Sequence, residues 1–200
     1  MNYLAHLYLA GECGGSLLGN LMGDFVKGPI GDRFPPDIAA GIELHRKIDS
    51  FAHTDPAFRR SRQRIDPRFG HCRSILVDIF YDHILARDWQ HHARLPLEDF
   101  ASHVYRLLQE HDKSLPAGLQ QVAPRMIEGN WLVSYRRIET VSTVLKRLSR
   151  RLKRPTPIAE GSPELIRNYR NFQMDFEEFL PRATAMAIDY MSGLKAPGSR

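Results

Sequence analysis

The sequence predicts an all-α protein that folds as one helical bundle. Nearly every segment spaces its apolar residues with a helical period, while the alternating β-branched pattern of strands between tight turns is almost absent. The chain has 200 residues, of which 42% are hydrophobic, and this is enough apolar mass for a substantial core. We expect a single domain over residues 1–195 and a disordered tail over residues 196–200.

Helix ends in the first half of the chain are marked by proline and glycine. Gly28-Pro29 closes the second predicted helix, and Pro35-Pro36 opens the third, where Asp37 in the first turn favours the helix dipole. A short basic helix follows Pro56, and the most apolar helix of the chain comes next. The predicted helices of this half cover residues 3–9, 16–27, 35–53, a short segment after Pro56, and 71–90.

The second half continues the helical period. Further helices are predicted at residues 97–111, 115–128, 138–152 and 163–187. Proline and glycine are concentrated in residues 155–163, which predicts the longest surface loop there.

Targeting signals and cysteine motifs are absent from the sequence. The first residues lack a basic segment, and no apolar run approaches the roughly 18 residues that span a bilayer, so we expect a cytoplasmic protein with no membrane partner. Cys13 and Cys72 have no Cys-x-x-Cys spacing, which argues against a disulfide framework and a thiolate zinc site.

The net charge of +5 comes from two basic clusters. The first comprises Arg59, Arg60, Arg62, Arg64, Arg68 and Arg73, and the second Lys146, Arg147, Arg150, Arg151, Lys153 and Arg154. Such positive charge could bind an acidic protein or a nucleic acid. The alternative is that both clusters are solvated helix faces without a partner.

Carboxylates occupy positions where apolar residues belong in the helix predicted at residues 71–90. A step of 100° per residue places Asp82 on the stripe of Ile75 and Ile79, with Asp78 beside it. Two carboxylates four residues apart repel each other in a buried setting unless a cation lies between them, which favours a divalent metal. Pairing of each carboxylate with a buried arginine is the alternative.

The third helix repeats this pattern with His45 and Asp49 on its apolar stripe. A histidine and an aspartate at this spacing can bind one metal together, or the aspartate can orient the imidazole. Asp24 and His6 are further inward candidates, although a hydrogen bond from His6 to a backbone carbonyl is the simpler interpretation for that residue alone.

Oxygen and imidazole ligands suit Mn²⁺ or Mg²⁺, and also Fe²⁺ or Zn²⁺. Such a metal acidifies a bound water and neutralises charge on a phosphoryl group. Arg46, next to His45, is the cation that we expect on a phosphate, with a salt bridge to one of the same carboxylates as the alternative. A P-loop and a Gly-x-Ser-x-Gly nucleophile motif are absent from the sequence.

Four ordered blocks carry a family resemblance. They are Asn2-Tyr-Leu-Ala-His-Leu-Tyr-Leu-Ala10, Ser16-Leu-Leu-Gly-Asn-Leu-Met-Gly-Asp-Phe25, Gly41-Ile-Glu-Leu-His-Arg-Lys-Ile-Asp-Ser-Phe51 and Asp78-Ile-Phe-Tyr-Asp-His83, with Trp131-Leu-Val-Ser-Tyr135 as an extension. With these blocks the chain resembles the acyl carrier protein phosphodiesterases, densely over about its first 90 residues and loosely after Val141.

This resemblance implies hydrolysis of the phosphodiester between 4′-phosphopantetheine and a serine of holo-acyl carrier protein by a metal-activated water, with Mn²⁺ as the preferred metal. It also implies a distant relation to the HD-domain phosphohydrolases, although the chain lacks their adjacent His-Asp pair at the matching position and its His111-Asp112 doublet lies at a predicted helix end. The candidate metal ligands are His6, His45, Asp49, Asp78 and Asp82. The candidate catalytic residues are Asp24, Arg46 and His83.

The resemblance gives the first basic cluster a partner, because acyl carrier proteins are strongly acidic. The expected docking residues are Arg59, Arg60, Arg62, Arg64 and Arg73, in the stretch that joins the two ligand-bearing helices. Two alternatives stay open. One is an HD-like nucleotide phosphohydrolase, and the other is a helical nucleic-acid-binding protein without chemistry, which leaves the inward carboxylates unexplained.

Overall fold

A computed structural model describes residues 2–152 and 154–195, and over these residues the chain is helical and contains no strand. The all-α prediction is therefore confirmed. The α-helices of the described residues are α1 (Tyr3–Ala10), α2 (Gly14–Met22), α3 (Pro36–Thr54), α4 (Pro56–Arg64), α5 (Cys72–Arg87), α6 (Leu97–Glu110), α7 (Ala117–Glu128), α8 (Trp131–Ser134), α9 (Ile138–Ser149), α10 (Ser162–Arg167) and α11 (Tyr169–Lys195). The expected tail at 196–200 lies outside the described residues.

Helices α2 and α3 pack through two glycines. A β-carbon on Gly19 would overlap the carbonyl group of Ile38, and one on Gly41 would collide with the carbonyl oxygen of Ser16. The absence of a side chain at both positions lets the two backbones approach closely. This contact places the end of α2 beside the middle of α3.

A buried carboxylate fixes the start of α1. Both oxygens of Asp82 in α5 accept backbone N–H groups, from Leu4 and Ala5, at 2.9 Å each. The first N–H groups of a helix have no intrahelical partner, and a negative charge at this end favours the helix dipole. Helix α5 thus fixes the backbone of α1 at Ala5, the residue directly before His6.

Helix α4 is tied to the long helix α11 by charge. Asp175 in α11 is 1% exposed and accepts hydrogen bonds from the guanidinium groups of Arg60 and Arg64 and from the hydroxyl of Ser61. A charge that is buried to this extent requires such partners. Part of the first basic cluster is therefore bound within the fold.

The described helices differ from the expectations in several places. Helix α2 ends at Met22 instead of residue 27, because the chain turns after Gly23 and the N–H groups of Phe25 and Val26 both donate to the Met22 carbonyl. The last predicted helix is divided at Asn168, whose backbone is not helical. The short helix α8 was not predicted.

A left-handed residue introduces α8. Asn130, with φ 41°, directly precedes that helix, and asparagine adopts this conformation more readily than most residues. Among the described helices, none is long and apolar enough to cross a bilayer.

Candidate metal centre

Four polar side chains meet where α1, α3 and the end of α2 converge. They are His6, Asp24, His45 and Asp49, and all four were predicted from the sequence as inward or candidate site residues. The two histidine rings stack with their centroids 3.9 Å apart and an interplanar angle of 8°. The fold therefore assembles a cluster of two imidazoles and two carboxylates from three separate elements.

His45 has a fixed orientation. Its Nδ1 donates to the carbonyl of Asn20 at 2.9 Å, so its Nε2 lies 3.5 Å from Asp24 and 3.4 Å from Asp49. Burial alone would lower the pKa of His45, but hydrogen bonds to the two carboxylates raise it to about 9. A β-carbon on Gly23 would overlap the His45 ring, so only glycine leaves room for this ring.

His6 has the opposite electrostatic character. Its Nε2 lies 3.2 Å from an oxygen of Asp49, yet burial dominates and lowers the pKa of His6 to about 3. Its Nδ1 is buried and has no hydrogen-bond partner among the described residues. His6 is thus a neutral imidazole at physiological pH and carries a lone pair.

The carboxylates of Asp24 and Asp49 are ionised and partly exposed to solvent. Burial acts to raise the pKa of Asp24 and of Asp49, but hydrogen bonds from His45 outweigh it and hold both values below the ordinary range. The side chains of Asp24 and Asp49 are 51% and 39% exposed, so both reach solvent. Their negative charge faces the space where a cation or a water would bind.

The donor set fits a divalent metal. His6, His45 and Asp49 each offer one ligand atom, and these atoms lie within 4.8 Å of one another. Two imidazoles and a carboxylate suit Mn²⁺, Fe²⁺ or Zn²⁺, and a metal-binding histidine usually donates its other nitrogen to a carbonyl, as His45 does to Asn20.

Two cations stand beside the cluster, at a cavity of about 390 Å³ that Asp24, His45 and Asp49 also line. Arg46 donates to the carbonyls of Val26 and Gly28 and lies 3.9 Å from a carboxylate oxygen of Glu43. Lys27, at the same cavity, was missed by the sequence analysis because its position after α2 carries no motif.

Asp78 lies within electrostatic reach of the cluster, whereas Asp82 and His83 have hydrogen-bond partners outside it. Asp78 lines a second, larger cavity that it shares with Asp24, and burial and the charge of Asp49 raise its pKa. Asp82 binds the backbone of α1, and burial raises its pKa to about 7 against its two N–H donors. His83 contacts the carbonyl of Tyr135 and the hydroxyl of Tyr169 with its two ring nitrogens.

The expected docking arginines divide into two groups. Arg60 and Arg64 bind Asp175, and Arg60 also pairs with Glu178, whereas Arg59 is exposed and Arg62 is half-buried. Arg73 donates to the carbonyl of Gly70. These residues lie outside the lining of both cavities at the cluster.

Comparison with known proteins places the whole arrangement in a family. The family model described as acyl carrier protein phosphodiesterase matches residues 1–183. A protein named acyl carrier protein phosphodiesterase from Pectobacterium atrosepticum is 32% identical over 188 residues, covering 94% of this chain and 97% of the relative. The protein of that name from Photorhabdus laumondii is 31% identical over 182 residues, covering 90% and 92%.

A third relative with the same name, from Escherichia coli O157:H7, is 32% identical over 188 residues and covers 94% of this chain and 97% of the relative. No solved structure matches the chain, so the expected relation to HD-domain proteins stays a prediction. Family model and relatives agree over nearly the full length that contains the cluster. The chain belongs to the acyl carrier protein phosphodiesterase family.

Proposed function

We propose that this chain hydrolyses the phosphodiester that joins 4′-phosphopantetheine to a serine of holo-acyl carrier protein. The products are apo-acyl carrier protein and free 4′-phosphopantetheine. Family membership supports the reaction. The observation that assigns it to particular residues is the cluster of His6, Asp24, His45 and Asp49. Asp24 of this cluster lines both cavities.

The metal is part of this proposal. His6, His45 and Asp49 would hold Mn²⁺, or Mg²⁺ or another divalent ion, with Asp24 adjacent. When bound, such an ion lowers the pKa of a coordinated water and offsets negative charge on a phosphoryl group. With a pKa of about 9, His45 carries a proton at neutral pH that partly balances the two carboxylates, and a cation that binds there would displace this proton to solvent.

The remaining residues act on the substrate. Arg46 and Lys27 supply positive charge to the smaller cavity, and a guanidinium group matches phosphate oxygens with two parallel hydrogen bonds. Asp24 lines both cavities, so its carboxylate is positioned to accept a hydrogen bond from the attacking water. Asp82 supports the reaction indirectly, because it holds the helix that carries His6.

Mass spectrometry of the carrier protein tests the proposal. Holo-acyl carrier protein is incubated with the chain and Mn²⁺, and we expect the carrier mass to fall by that of the prosthetic group, with no change when a chelator is present. Asp49→Ala and His45→Ala should each abolish the conversion.

The doublet His111-Asp112 provides matched controls. Both side chains are exposed and lie outside the lining of the two cavities, so His111→Ala and Asp112→Ala should keep full activity. An unchanged carrier mass with folded, metal-loaded protein would refute the proposed reaction. Release of phosphate from nucleotides in the same preparation would then favour the nucleotide phosphohydrolase.

A further inference from the structure

The larger cavity has a volume of about 750 Å³, within the range of about 300–1,000 Å³ that is typical of small-molecule sites. Its walls come from the start of α1, the segment after α2, the first half of α5, and helices α8 and α9. Asp24 lines this cavity and also the smaller one beside His45. The larger cavity therefore reaches the cluster at Asp24, which the two cavities share.

Most of the cavity wall is neutral. Ile75, Val144 and Leu148 supply aliphatic surface, and the ring of Trp131 supplies an aromatic face. A second set of lining residues bears hydroxyl or amide groups. These are Asn2, Tyr3, Ser134, Thr140, Thr143 and Tyr135. Aliphatic surface interrupted by neutral hydrogen-bonding groups suits an uncharged chain that contains both alkyl and amide groups.

Charged residues of both signs also line the cavity. Asp24 and Asp78 are acidic, Arg147 and Arg151 in the region of α9 are basic, and Arg137 and Glu139 at the start of α9 carry one charge of each sign. Burial raises the pKa of Tyr3 to about 12, and there Asp24 adds to the rise while Arg151 opposes it. Tyr3, which also lines the cavity, thus lies within electrostatic reach of both groups.

We infer that the larger cavity binds the pantetheine arm of the substrate while the phosphodiester lies at the cluster. This inference rests on the proposed function and names the subsite that would bind the part of the substrate beyond the phosphate. The pantetheine arm is uncharged and carries a dimethyl group and two amides, which matches the aliphatic and hydroxyl groups of the wall. Val144 and Thr143 on α9 contribute to its shape, and Trp131 contributes an aromatic surface.

Direct binding of pantetheine tests the inference without metal or turnover. Pantetheine carries no phosphate, so its binding to chelator-treated protein reports on the arm alone. Trp131 lines the cavity, whereas Trp89, the other tryptophan of the sequence, is 2% exposed in the core. We expect saturable quenching of tryptophan fluorescence by pantetheine in the wild-type protein.

Two variants fill the cavity, and a third serves as their control. Val144→Phe and Thr143→Phe should weaken pantetheine binding by about tenfold or more, which is about 1.4 kcal/mol. Lys146→Phe adds a phenyl ring to the same helix at an exposed position outside the cavity lining and should bind as the wild type does. Thermal unfolding followed by circular dichroism establishes that each variant is folded.

The carrier assay separates this inference from the proposed function. Val144→Phe should raise KM for holo-acyl carrier protein, and pantetheine should compete with the carrier in the wild type only. Unchanged pantetheine binding in folded Val144→Phe and Thr143→Phe, or no saturable binding to the wild type, would overturn the inference even if the carrier is cleaved. Pantetheine binding that Val144→Phe abolishes supports the subsite, even if the wild type leaves the carrier intact and the proposed reaction fails.

Discussion

Gly23 leaves the space that the imidazole of His45 occupies. The glycine ends α2, the histidine lies in the middle of α3, and a β-carbon at position 23 would overlap the ring. The same ring is held from its other side by the carbonyl of Asn20 and by stacking on His6. The orientation of one candidate ligand therefore depends on the absence of a side chain 22 residues earlier in the chain.

Replacing Gly23 with alanine should disable the site and leave the fold intact. The added methyl group forces the His45 ring away from Asp24 and Asp49, and a displacement of about 1 Å at a reacting centre lowers activity by about 100-fold. Turnover of holo-acyl carrier protein and Mn²⁺ affinity measure this effect. Gly193→Ala is the control, because a β-carbon there meets no atom within 4 Å. Equal activity of Gly23→Ala and wild type would contradict the proposed role of His45.

Asp82→Asn should destabilise the protein by about 1–3 kcal/mol, because one of two carboxylate oxygens that accept N–H groups from Leu4 and Ala5 becomes an NH₂ group. Urea unfolding measures the loss. Asp112→Asn, at an exposed position, should stay within about 0.5 kcal/mol of the wild type. Loss of activity in Asp82→Asn with unchanged stability would instead indicate that Asp82 acts on the metal or the substrate.

The charge of Asp55 should make stability depend on pH. Burial opposes its ionisation, but the guanidinium of Arg182 and the N–H groups of Phe58 and Ala57 outweigh burial and lower the pKa of Asp55. A lowered pKa in the folded state adds stability above the ordinary aspartate value of about 4, and this stability is lost as the pH falls through the folded-state value.

Asp55→Asn keeps a capping side chain at this position and removes the charge. At pH 7 we expect this substitution to lower the free energy of unfolding by about 1–2 kcal/mol. This is at the low end for a hydrogen bond to a charged group, because Arg182 is 44% exposed. Urea titrations at several pH values should show the difference in unfolding free energy between variant and wild type shrinking from pH 5 to pH 3. This interval extends about one unit on either side of the ordinary aspartate pKa of about 4. A constant difference across this interval would refute the assignment.

Charge reversal distinguishes the roles of the arginines in the first basic cluster. Arg59→Glu combined with Arg62→Glu should raise KM for the acidic carrier, with little change in stability, and the effect should weaken as salt increases. Arg60→Ala should instead lower stability, since it removes a partner of buried Asp175. The steady-state rate at several salt concentrations and urea unfolding measure the two effects.

Charge reversal at Arg147, in the second basic cluster, is compared with the Arg59 and Arg62 double variant. Arg147 lies over the ring of Trp131 and lines the larger cavity, so Arg147→Glu tests a docking surface at the cavity mouth. If Arg147→Glu raises KM and the Arg59 and Arg62 double variant does not, the sequence-based docking surface is wrong.

Helical periodicity predicts the fold class, and it predicts which two residues of α3 face the candidate cluster. His45 and Asp49 lie on the apolar stripe of α3, and the structure places both in the cluster with His6 and Asp24. Regular spacing is sufficient here because a helix of 19 residues fixes which side chains face the core. Helix α2 ends earlier than predicted because Gly23 stands within a helical pattern, where a glycine is compatible both with a helix end and with a continuing helix.

Periodicity cannot distinguish the reasons for which a polar residue points inward. Asp82 lies on the inner stripe of α5 as a ligand would, but the groups that it binds are backbone N–H groups of a helix 77 or 78 residues away. His83 is likewise satisfied by Tyr135 and Tyr169. For Arg60, the partner is Asp175 in the last helix. Such partners are set by tertiary packing and leave no local trace in the sequence.

The carboxylate of Asp82 at the start of α1 also determines when the site can form during synthesis. His6, Asp24, His45 and Asp49 all precede residue 50, so a nascent chain contains these side chains early. The anchor for the start of α1 lies more than 30 residues after Asp49, so the N–H groups of Leu4 and Ala5 gain these carboxylate partners only after α5 has been made. An N-terminal fragment that ends before α5 would therefore contain the four side chains of the cluster but lack the carboxylate that accepts the first N–H groups of α1.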